Sequence, residues 1–302
     1  MHHAVIIIGS GPAGLTAAIY LSRAKFAPLV FAGSERGGQL MSTTDVGNFP
    51  GFEEDILGPE LMRRMQAQAQ RFGSVIVDEE VTSVDFSQKP FSVTTNKQSY
   101  TADAIIIATG ASARWLGLES EQRLRGKGVS ACATCDGFFF KNKRVAVVGG
   151  GDTAMEDANV LTKFAEHVTV IHRGEALAAS KFMQERTLAN PKITVLYNTE
   201  VADVLGDTVV TGVRIRNRKT KEESEIPLQG LFIAIGHKPN TDFLVGHIDL
   251  ERGYVKVTDQ TKTNIKGVFA CGDVHDYRYR QAITAAGSGC MAALDVERYL
   301  LE

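Results

Sequence analysis

The sequence is poor in the features that mark several large classes of protein. Its 302 residues include only four cysteines, which is too few for a small domain held together by disulfides. No apolar run approaches the ~20 residues of a membrane-spanning helix, and no signal peptide begins the chain, so we expect a cytoplasmic protein without a membrane partner. The formal net charge of −2 gives no sign of binding to nucleic acid.

What the sequence does have is length and glycine. A chain of 302 residues exceeds the usual size of one domain, so two domains are expected. An apolar fraction of 44% together with 29 glycines suits an α/β enzyme with many tight strand-to-helix turns. Length and composition therefore indicate the fold class, whereas the chemistry has to be inferred from the sequence motifs.

Two of the cysteines, Cys132 and Cys135, stand close together and directly precede Asp136. Two cysteines separated by two residues form a redox-active disulfide more often than a structural one in an intracellular enzyme. The alternative is half of a zinc site, which needs two more ligands at a similar spacing. The other cysteines, Cys271 and Cys290, lie far apart and no Cys-His pair accompanies them, so we predict a redox pair and no metal.

The first apolar run, residues 4–8, leads into a glycine-rich turn and then into a segment of helical composition. A strand, a glycine-rich turn and a helix in this order form the dinucleotide-binding fingerprint. In that interpretation Gly9 permits the tight turn, Gly11 lets the backbone approach a pyrophosphate, and Gly14 lets helix and strand pack closely. The helix N-terminus then faces the phosphates. The contacts predicted from this turn are Gly9, Ser10, Gly11, Pro12, Ala13 and Gly14.

A second segment of the same kind begins near residue 143. Residues 143–148 predict a strand, which is followed by a glycine-rich turn and a helix to about residue 164. Apolar strands at 104–108 and 231–235 also repeat, each leading to a glycine. The chain therefore contains two related halves, which implies two dinucleotide sites and, as the natural pairing, a flavin with a nicotinamide. The predicted contacts are Gly149, Gly151, Asp152, Thr153 and Ala154 in the turn, with Ala108, Thr109, Gly110, Ile235 and Gly236 at the repeated strands.

Two further stretches are candidates for flavin contacts. Residues 33–40 form a polar, glycine-rich loop in which Glu35 could bond a ribose hydroxyl, with an ordinary surface loop as the alternative. A short strand later leads to Asp273, whose carboxylate could bond the polyol of a flavin or only cap a turn. Arg280, Gln281 and Ala282 then open a helix that runs to residue 301, and its N-terminus could stabilise a flavin ring oxygen.

The remaining pattern predicts supporting structure. Residues 59–72 predict an amphipathic helix, and four short strands at 75–77, 81–86, 91–95 and 99–101 are expected to form a small sheet. Residues 114–128 are polar and turn-like, and we place a domain boundary there.

Together these motifs resemble those of the low-molecular-weight thioredoxin reductases of bacteria, plants and fungi. The resemblance covers essentially all 302 residues. Besides the cysteine pair and the two glycine-rich turns, it rests on Gly37-Gly38-Gln39-Leu40, Ala108-Thr109-Gly110-Ala111, Ala270-Cys271-Gly272-Asp273 and Tyr279-Arg280-Gln281-Ala282.

The resemblance implies an α/β fold of two Rossmann-like, three-layer ββα dinucleotide-binding domains, the second inserted into the first. The FAD domain is then residues 1–113 and 243–302, and the NAD(P) domain, which carries the cysteine pair, is residues 114–242. The family further implies a homodimer, with thioredoxin or a thioredoxin-like protein as its substrate. The remaining cofactor contacts that it implies are Gly33, Gly38, Gln39, Leu40, Asn48, Val81, His172, Arg173 and Gly272.

Under the same resemblance, a hydride passes from NADPH or NADH to FAD, and the flavin reduces the Cys132–Cys135 disulfide. Cys135 then faces the flavin, and Cys132 attacks the partner's disulfide as a thiolate. Asp136 is the acid that protonates the departing thiolate, and the alternative is that it only caps the next helix.

The coenzyme segment departs from the family pattern. NADPH-binding members carry His-Arg-Arg-x-x-x-Arg after the second strand of the inserted domain, whereas only Arg173 of the three arginines is present here. Gly174 and Ala178 replace the guanidinium groups that normally grip a 2′-phosphate. Glu175 adds a negative charge and could accept a bond from the free 2′-hydroxyl of NADH. We therefore predict a relaxed or NADH-leaning coenzyme preference.

Two other functions stay open on the sequence alone. One is a flavoprotein of the same kind that does not use a nicotinamide, such as a dithiol oxidase or a ferredoxin-fed reductase, and the intact second glycine-rich turn speaks against it. The other is a non-catalytic flavin-binding module, against which the cysteine pair beside Asp136 speaks.

Overall fold

The computed structural model describes residues 1–33, 35–43 and 45–302, and it divides into two compact units. The first unit is Met1–Ser112 together with Lys238–Glu302, and the second is Ala113–His237. The second crossing between the units therefore comes earlier than the predicted boundary at residue 242. The reason is that Asn240 is tied into the first unit, where its backbone N–H donates to the carbonyl of Gly110 at 3.0 Å.

The strands and helices follow one another along the described chain. The strands are β1 (His2–Ile8), β2 (Leu29–Phe31), β3 (Asp45–Val46), β4 (Ile56–Leu57), β5 (Val75–Val77), β6 (Val81–Asp85), β7 (Phe91–Thr95), β8 (Ser99–Ile107), β9 (Ala111–Ala113), β10 (Val129–Ser130), β11 (Arg144–Val148), β12 (His167–Ile171), β13 (Ile193–Leu196), β14 (Thr199–Leu205), β15 (Gly212–Asn217), β16 (Glu223–Pro227), β17 (Gly230–Ile233), β18 (His237–Pro239), β19 (Leu250–Glu251), β20 (Tyr254–Val255) and β21 (Val268–Ala270). The α-helices are α1 (Pro12–Arg23), α2 (Gly58–Arg71), α3 (Glu119–Arg123), α4 (Ala133–Asp136), α5 (Asp152–Leu161), α6 (Lys181–Leu188) and α7 (Ala282–Leu301), and short 3₁₀ turns cover Gly38–Ser42, Gly137–Phe140, Asp242–Leu244 and Gly272–Val274. Of the helices in the described residues, none is long and apolar enough to cross a bilayer.

The first unit is built on one seven-stranded sheet. Six strands follow the order β5-β2-β1-β8-β7-β6, and β21 also pairs with β8. The strands β1, β2, β5, β8 and β21 pair in parallel, whereas β7 runs antiparallel to both of its neighbours, β8 and β6. Side chains of α1, α2 and α7 share a core with one face of β1 and β8, and β6 and β7 share a core with the other face. Because β1 is buried on both faces, it reads in the sequence as a continuous apolar run.

The short strands that were predicted to form a small sheet are instead part of the seven-stranded sheet of this unit. The two strands predicted at 99–101 and 104–108 are one strand, β8. Ala102 and Ala104 are buried and Asp103 between them is exposed, so the alternation of a strand continues through the segment without a break.

The second unit has three layers. Its five-stranded parallel sheet has the order β10-β17-β11-β12-β13. Helices α5 and α6 share a core with one face of that sheet, and the antiparallel strands β14 and β15 share a core with the other. The two Rossmann-like units, one inserted into the other, confirm the predicted fold class.

The segment 114–128 is more ordered than the predicted turn. It contains α3 and the completely buried side chain of Glu121. The two carboxylate oxygens of Glu121 accept backbone N–H bonds from Leu116 and Gly117, each at 2.9 Å. This pairing satisfies a buried charge and fixes the path of the chain, and a polar composition does not reveal it.

Candidate functional site

The cysteine pair forms a disulfide where β10 gives way to α4. Cys132 and Cys135 are bonded, with their Cα atoms 5.3 Å apart. The backbone N–H of Cys135 donates to the sulfur of Cys132 at 3.2 Å, and the backbone N–H of Cys132 donates to the hydroxyl of Ser130 at 3.0 Å. In the described part of the chain, no three His, Cys, Asp or Glu side chains gather as metal ligands. The two cysteines therefore form a disulfide in this structure, the arrangement that a redox pair takes when it is oxidised.

Asp136 directly follows Cys135 and is partly buried. Burial raises the pKa of its carboxyl, and a hydrogen bond with Ser130 opposes part of that rise. The carboxyl makes no capping bond to the 3₁₀ turn that follows, so the capping alternative is not what the structure shows. A carboxyl whose neutral form is favoured by burial is suited to giving up a proton to a thiolate.

An aromatic side chain stands exposed beside the pair. The ring of Phe138 is 66% exposed. It makes edge contacts with Phe139 and Phe164, whose ring centres lie 6.1 and 6.2 Å away, whereas Phe140 turns inward against Phe232. An exposed aromatic ring therefore follows Cys135 three residues along the chain.

The first glycine-rich turn, between β1 and α1, has the shape of a dinucleotide cradle. Gly9 has φ of +115°, and a Cβ there would meet the carbonyl of Ala108. A Cβ on Gly14 would meet the carbonyl of Gly9, so both positions need glycine for the strand and helix to pack. Gly11, by contrast, has no protein atom within 4 Å of a Cβ position, and it lies at the open N-terminus of α1. The turn is thus closely packed at Gly9 and Gly14 and open at Gly11, which leaves room for a pyrophosphate at the N-terminus of α1.

The other predicted contacts of the first unit are linked to one another by hydrogen bonds, and one of these bonds reaches this turn. The backbone N–H of Gly37, directly before the predicted contacts Gly38, Gln39 and Leu40, donates to the hydroxyl of Ser10 at 2.9 Å. Gly33 donates its N–H to the carbonyl of Glu79, just before Val81. The side-chain amide of Asn48 donates to that of Gln281 at 3.3 Å. Glu35 is exposed, and Ser34 of the same predicted loop lies outside the described residues.

Asp273 carries the feature that most calls for a ligand in this unit. Its Oδ1 atom is buried and has no hydrogen-bond partner among the described residues. Burial raises the pKa of this carboxyl to about 7, and Arg280 opposes part of the rise. The turn that carries it lies on α1, since a Cβ on Gly272 would be 2.8 Å from the Cβ of Ala13. An orphaned acceptor beside a dinucleotide cradle fits the hydroxyls of a flavin's polyol chain.

We predict that Asp273→Asn makes the flavin-free protein more stable at high pH and weakens its hold on FAD. The folded-state pKa of about 7 exceeds the ordinary 3.8, so between these values the folded state binds the extra proton. Stability then falls as pH rises, by up to ~1.4 kcal/mol per pH unit, and asparagine removes this slope.

The measurement is urea unfolding of FAD-stripped protein at about pH 5 and about pH 8, with FAD titration of both variants. Asp249→Asn, at an exposed aspartate of the same unit, is the control and should follow the wild type. Burial lowers the pKa of the neighbouring His275, which acts in the opposite direction, so the test is the difference between variants. If the stability of Asp273→Asn changed between the two pH values by the same amount as that of the wild type, the assignment would be contradicted.

The second glycine-rich turn repeats the geometry of the first in the other unit. Gly149 has φ of +153°, and a Cβ there would meet the carbonyl of Ala234. Gly151, at the start of α5, has no protein atom within 4 Å of a Cβ position. Thr153 is half-buried and Ala154 is buried. Asp152, however, is already engaged, because its Oδ1 accepts bonds from the N–H and hydroxyl of Ser180, at 2.9 and 2.8 Å.

Other predicted contacts of the second unit lie on the loop after β12. The imidazole of His172 makes a 2.9 Å hydrogen bond through Nε2 with the carbonyl of Ala176. Its ring fills the space in front of Gly150 and of Gly174, where a Cβ on Gly174 would lie 2.7 Å from Nε2. Arg173 and Glu175 are exposed. Ile235 packs against the core, and the carbonyl of Gly236 accepts a bond from the N–H of Arg114.

Sequence reasoning missed four residues that support these sites. Ser130 bonds the cysteine pair, Ser180 holds Asp152, and Lys219 pairs with Glu175 at 2.6 Å. Asn240 exchanges bonds with Thr109, its amide donating to the Thr109 carbonyl at 2.8 Å. Apart from Ser130, each lies far along the chain from its partner, so no local pattern could have shown it. Ser130 could have been noticed, because a hydroxyl two residues before a reactive cysteine is within bonding reach.

Known proteins are similar to this chain along nearly its whole length. A profile of the family described as pyridine nucleotide-disulphide oxidoreductase matches residues 3–289. The thioredoxin reductase of Streptomyces coelicolor is 55% identical over 300 residues, which cover 98% of this chain and 93% of that protein. The structure of thioredoxin reductase from Giardia duodenalis matches with a TM-score of 0.94 at 42% identity, covering 100% of this chain and 99% of that one. The thioredoxin reductase from Streptococcus pyogenes matches with a TM-score of 0.95 at 38% identity, covering 99% and 98%.

Proposed function

Since this chain belongs to the pyridine nucleotide-disulphide oxidoreductase family and, within it, to the thioredoxin reductases, we propose that it uses NADH or NADPH and FAD to reduce the disulfide of a thioredoxin or thioredoxin-like protein through Cys132 and Cys135. The observation that carries the proposal is the disulfide of this pair in a chain with two strand-glycine-helix turns, one in each unit. Two dinucleotide sites and one redox disulfide match the three carriers that such a reaction needs.

The residues of the first unit would hold FAD. The turn from Gly9 to Gly14 fits its pyrophosphate, and the orphaned oxygen of Asp273 fits a hydroxyl of its polyol chain. The second turn, with the opening at Gly151, would hold the reduced nicotinamide coenzyme. When bound, FAD supplies a carrier that accepts a hydride from the coenzyme and passes on two electrons.

The cysteine pair supplies the chemistry towards the protein substrate. Two electrons and two protons convert the Cys132–Cys135 disulfide into two thiols. The thiolate of Cys132 attacks one sulfur of the partner's disulfide, which breaks and releases the other sulfur as a thiolate. The thiolate of Cys135 then attacks the Cys132 sulfur of the mixed disulfide, which restores the Cys132–Cys135 bond and releases the partner's first sulfur as a second thiolate. Asp136, whose pKa is raised by burial, gives a proton to the departing thiolate.

The surroundings of the pair and the surface of α7 support the proposed partners. Phe138 offers apolar contact area to a protein substrate beside the disulfide. Ile283, Met291 and Leu294 are apolar side chains of α7 that are between 38% and 42% exposed, which suits a homodimer contact. We place this homodimer in the cytoplasm, where a reductant for thioredoxin is needed.

The coenzyme preference follows from the loop after β12. Neither Gly174 nor Ala178 has a side-chain hydrogen-bond donor for a 2′-phosphate, so we propose that the enzyme uses NADH at least as well as NADPH. The test mixes the enzyme anaerobically with each coenzyme, records the loss of flavin absorbance, and then measures kcat/KM with a thioredoxin. If neither coenzyme bleaches the flavin, the proposed function fails in favour of an enzyme that does not use nicotinamide. A preference for NADPH of about tenfold or more would contradict the proposed preference.

An arginine at position 178 should move this preference towards NADPH. Ala178 is exposed and can accept the larger side chain, whereas an arginine at position 174 would displace the His172 ring. One charge-assisted hydrogen bond corresponds to about 10-fold to 100-fold in affinity, so Ala178→Arg should raise the NADPH-to-NADH ratio of kcat/KM on that scale. Ala178→Gln, which has length without charge, is the matched control and should leave the ratio near that of the wild type.

A further inference from the structure

The loop between β12 and α6 is fixed along its length by contacts within the second unit. The carbonyl of Gly150 accepts N–H bonds from Ala178 and Ala179, at 2.7 and 3.0 Å. The carbonyl of Gly174 accepts a bond from the N–H of Asn198 at 2.9 Å. This loop therefore lies against the second glycine-rich turn, where the ribose of a bound dinucleotide is read by the residues that follow the second strand.

The connection between β15 and β16 brings two positive charges to this loop. The Nζ atom of Lys219 lies 2.6 Å from a carboxylate oxygen of Glu175. The Nη1 atom of Arg218 donates to the carbonyl of Arg173 at 3.2 Å. The turn is shaped by Asn217, whose side-chain oxygen accepts the backbone N–H of Lys219 at 2.8 Å. Lys219 lowers the pKa of Glu175, so the carboxylate stays ionised and paired.

Resting on the proposed coenzyme site, we propose that Lys219 is a specificity-determining residue that masks Glu175 and thereby keeps the site open to a 2′-phosphate. An unmasked carboxylate on this loop would repel the phosphate of NADPH and would be free to accept a bond from the 2′-hydroxyl of NADH. With Lys219 in place the charges of Lys219 and Glu175 cancel, and the exposed Arg173 keeps the loop positive, whereas Arg218 is paired with Glu200 at 3.4 Å. The chain thus tolerates both coenzymes although two arginines of the family pattern are absent.

The ion pair is suited to this role because it does little for the fold. The side chains of Lys219 and Glu175 are 59% and 72% exposed. Pairs with that exposure contribute little to folding stability. Their substitution should therefore leave the protein folded and change the electrostatics of the loop.

The experiment compares four variants of the holoenzyme with the wild type: Lys219→Met, Glu175→Gln, the double variant, and Arg214→Gln. Two readouts are used, namely the NADPH-to-NADH ratio of kcat/KM and the calorimetric affinity for 2′,5′-ADP relative to 5′-AMP. Repulsion between one unpaired carboxylate and a phosphate charge at contact distance in water changes a binding constant by roughly fivefold. Lys219→Met should therefore lower both ratios by roughly fivefold. Glu175→Gln should raise them, and the double variant should return to within about twofold of the wild type because charges at one site compensate.

Arg214→Gln is the matched control for a lost positive charge on the same hairpin. Arg214 lies in the middle of β15, where its ion-pair partners are Asp203 and Glu225. Its removal should leave both ratios within about twofold of the wild type, as expected for an exposed charge away from the loop.

Two results would overturn the proposal. One is a Lys219→Met variant whose ratios match the wild type, and the other is a double variant that stays as low as Lys219→Met, since Lys219 would then bind the phosphate itself. The failure of the proposed function is distinguishable. If neither coenzyme bleaches the wild-type flavin and neither adenosine probe binds, both the proposed function and the role of Lys219 are wrong. If both coenzymes reduce the flavin but the two ratios are the same in every variant, only the role of Lys219 is wrong.

Discussion

Replacing either Cys132 or Cys135 by serine should lower the reduction of thioredoxin by roughly 10³-fold or more, because the reacting atom itself is removed. FAD should stay bound and the reduction of FAD by NADH or NADPH should persist, since both cofactors would be held by the two glycine-rich turns. Serine is close in size to cysteine and its oxygen can accept the backbone N–H that now reaches the sulfur of Cys132. The fold around α4 should therefore survive either change.

The measurement separates the two half-reactions. Anaerobic stopped-flow mixing with the coenzyme follows the flavin, and steady-state turnover with a thioredoxin follows the disulfide. Cys290→Ser is the matched control, because Cys290 is a free cysteine outside the pair, and it should keep full turnover. Full disulfide-reductase turnover by either pair variant would sink the assignment of the redox centre.

The proposed roles of the two cysteines also predict an asymmetry between the variants. Cys135→Ser keeps the thiol that attacks the partner but lacks the thiol that resolves the product, so it should accumulate a mixed disulfide with an oxidised thioredoxin. Cys132→Ser should trap far less. Mass spectrometry under non-reducing conditions distinguishes the two, and trapping by Cys132→Ser alone would reverse the roles assigned here.

The sequence predicted the geometry of the chain well where that geometry is local. A strand buried on both faces must be continuously apolar, and the turn after it must contain glycine where φ is positive, as at Gly9 and Gly149. Cys132 and Cys135 are likewise neighbours on one turn of chain. Because spacing along the sequence determines these arrangements, the fold class, both glycine-rich turns and the disulfide pair could be predicted.

The sequence did not show the partners that side chains find across the fold. Asp152 belongs to a fingerprint turn, yet its carboxylate is held by Ser180, and Glu175 is neutralised by Lys219 from another element. The polar composition of residues 114–128 predicted a turn. The burial of Glu121 in this segment depends on its backbone partners in the fold and leaves no pattern in the sequence. These partners are set by how strands and loops meet in three dimensions, so one sequence without its structure does not reveal them.

Since one cofactor is assigned to each unit, two matched substitutions should each weaken the binding of a different cofactor. Gly11→Ala and Gly151→Ala each place a methyl group where no protein atom lies within 4 Å, at the first open position of a glycine-rich turn. Their backbones are alike, with φ of −71° at Gly11 and −92° at Gly151, and alanine adopts both. Neither change should disturb the fold, so each methyl group should act only on what the turn binds.

We expect Gly11→Ala to weaken FAD binding and Gly151→Ala to raise the KM for NADH and NADPH, each by roughly tenfold or more, the scale on which an added methyl group disturbs close packing. Gly151→Ala should be purified with its full flavin content, whereas Gly11→Ala should lose flavin and regain activity when FAD is supplied in excess. Gly14→Ala provides the contrast, because its methyl group would meet the carbonyl of Gly9 and should destabilise the protein itself. The measurements are the flavin absorbance of each purified variant, FAD titration of stripped protein, and KM for both coenzymes. Loss of flavin from Gly151→Ala with normal flavin in Gly11→Ala would show that the two sites are assigned the wrong way round. Unchanged binding of both cofactors in both variants would show that their pyrophosphates do not bind at these turns.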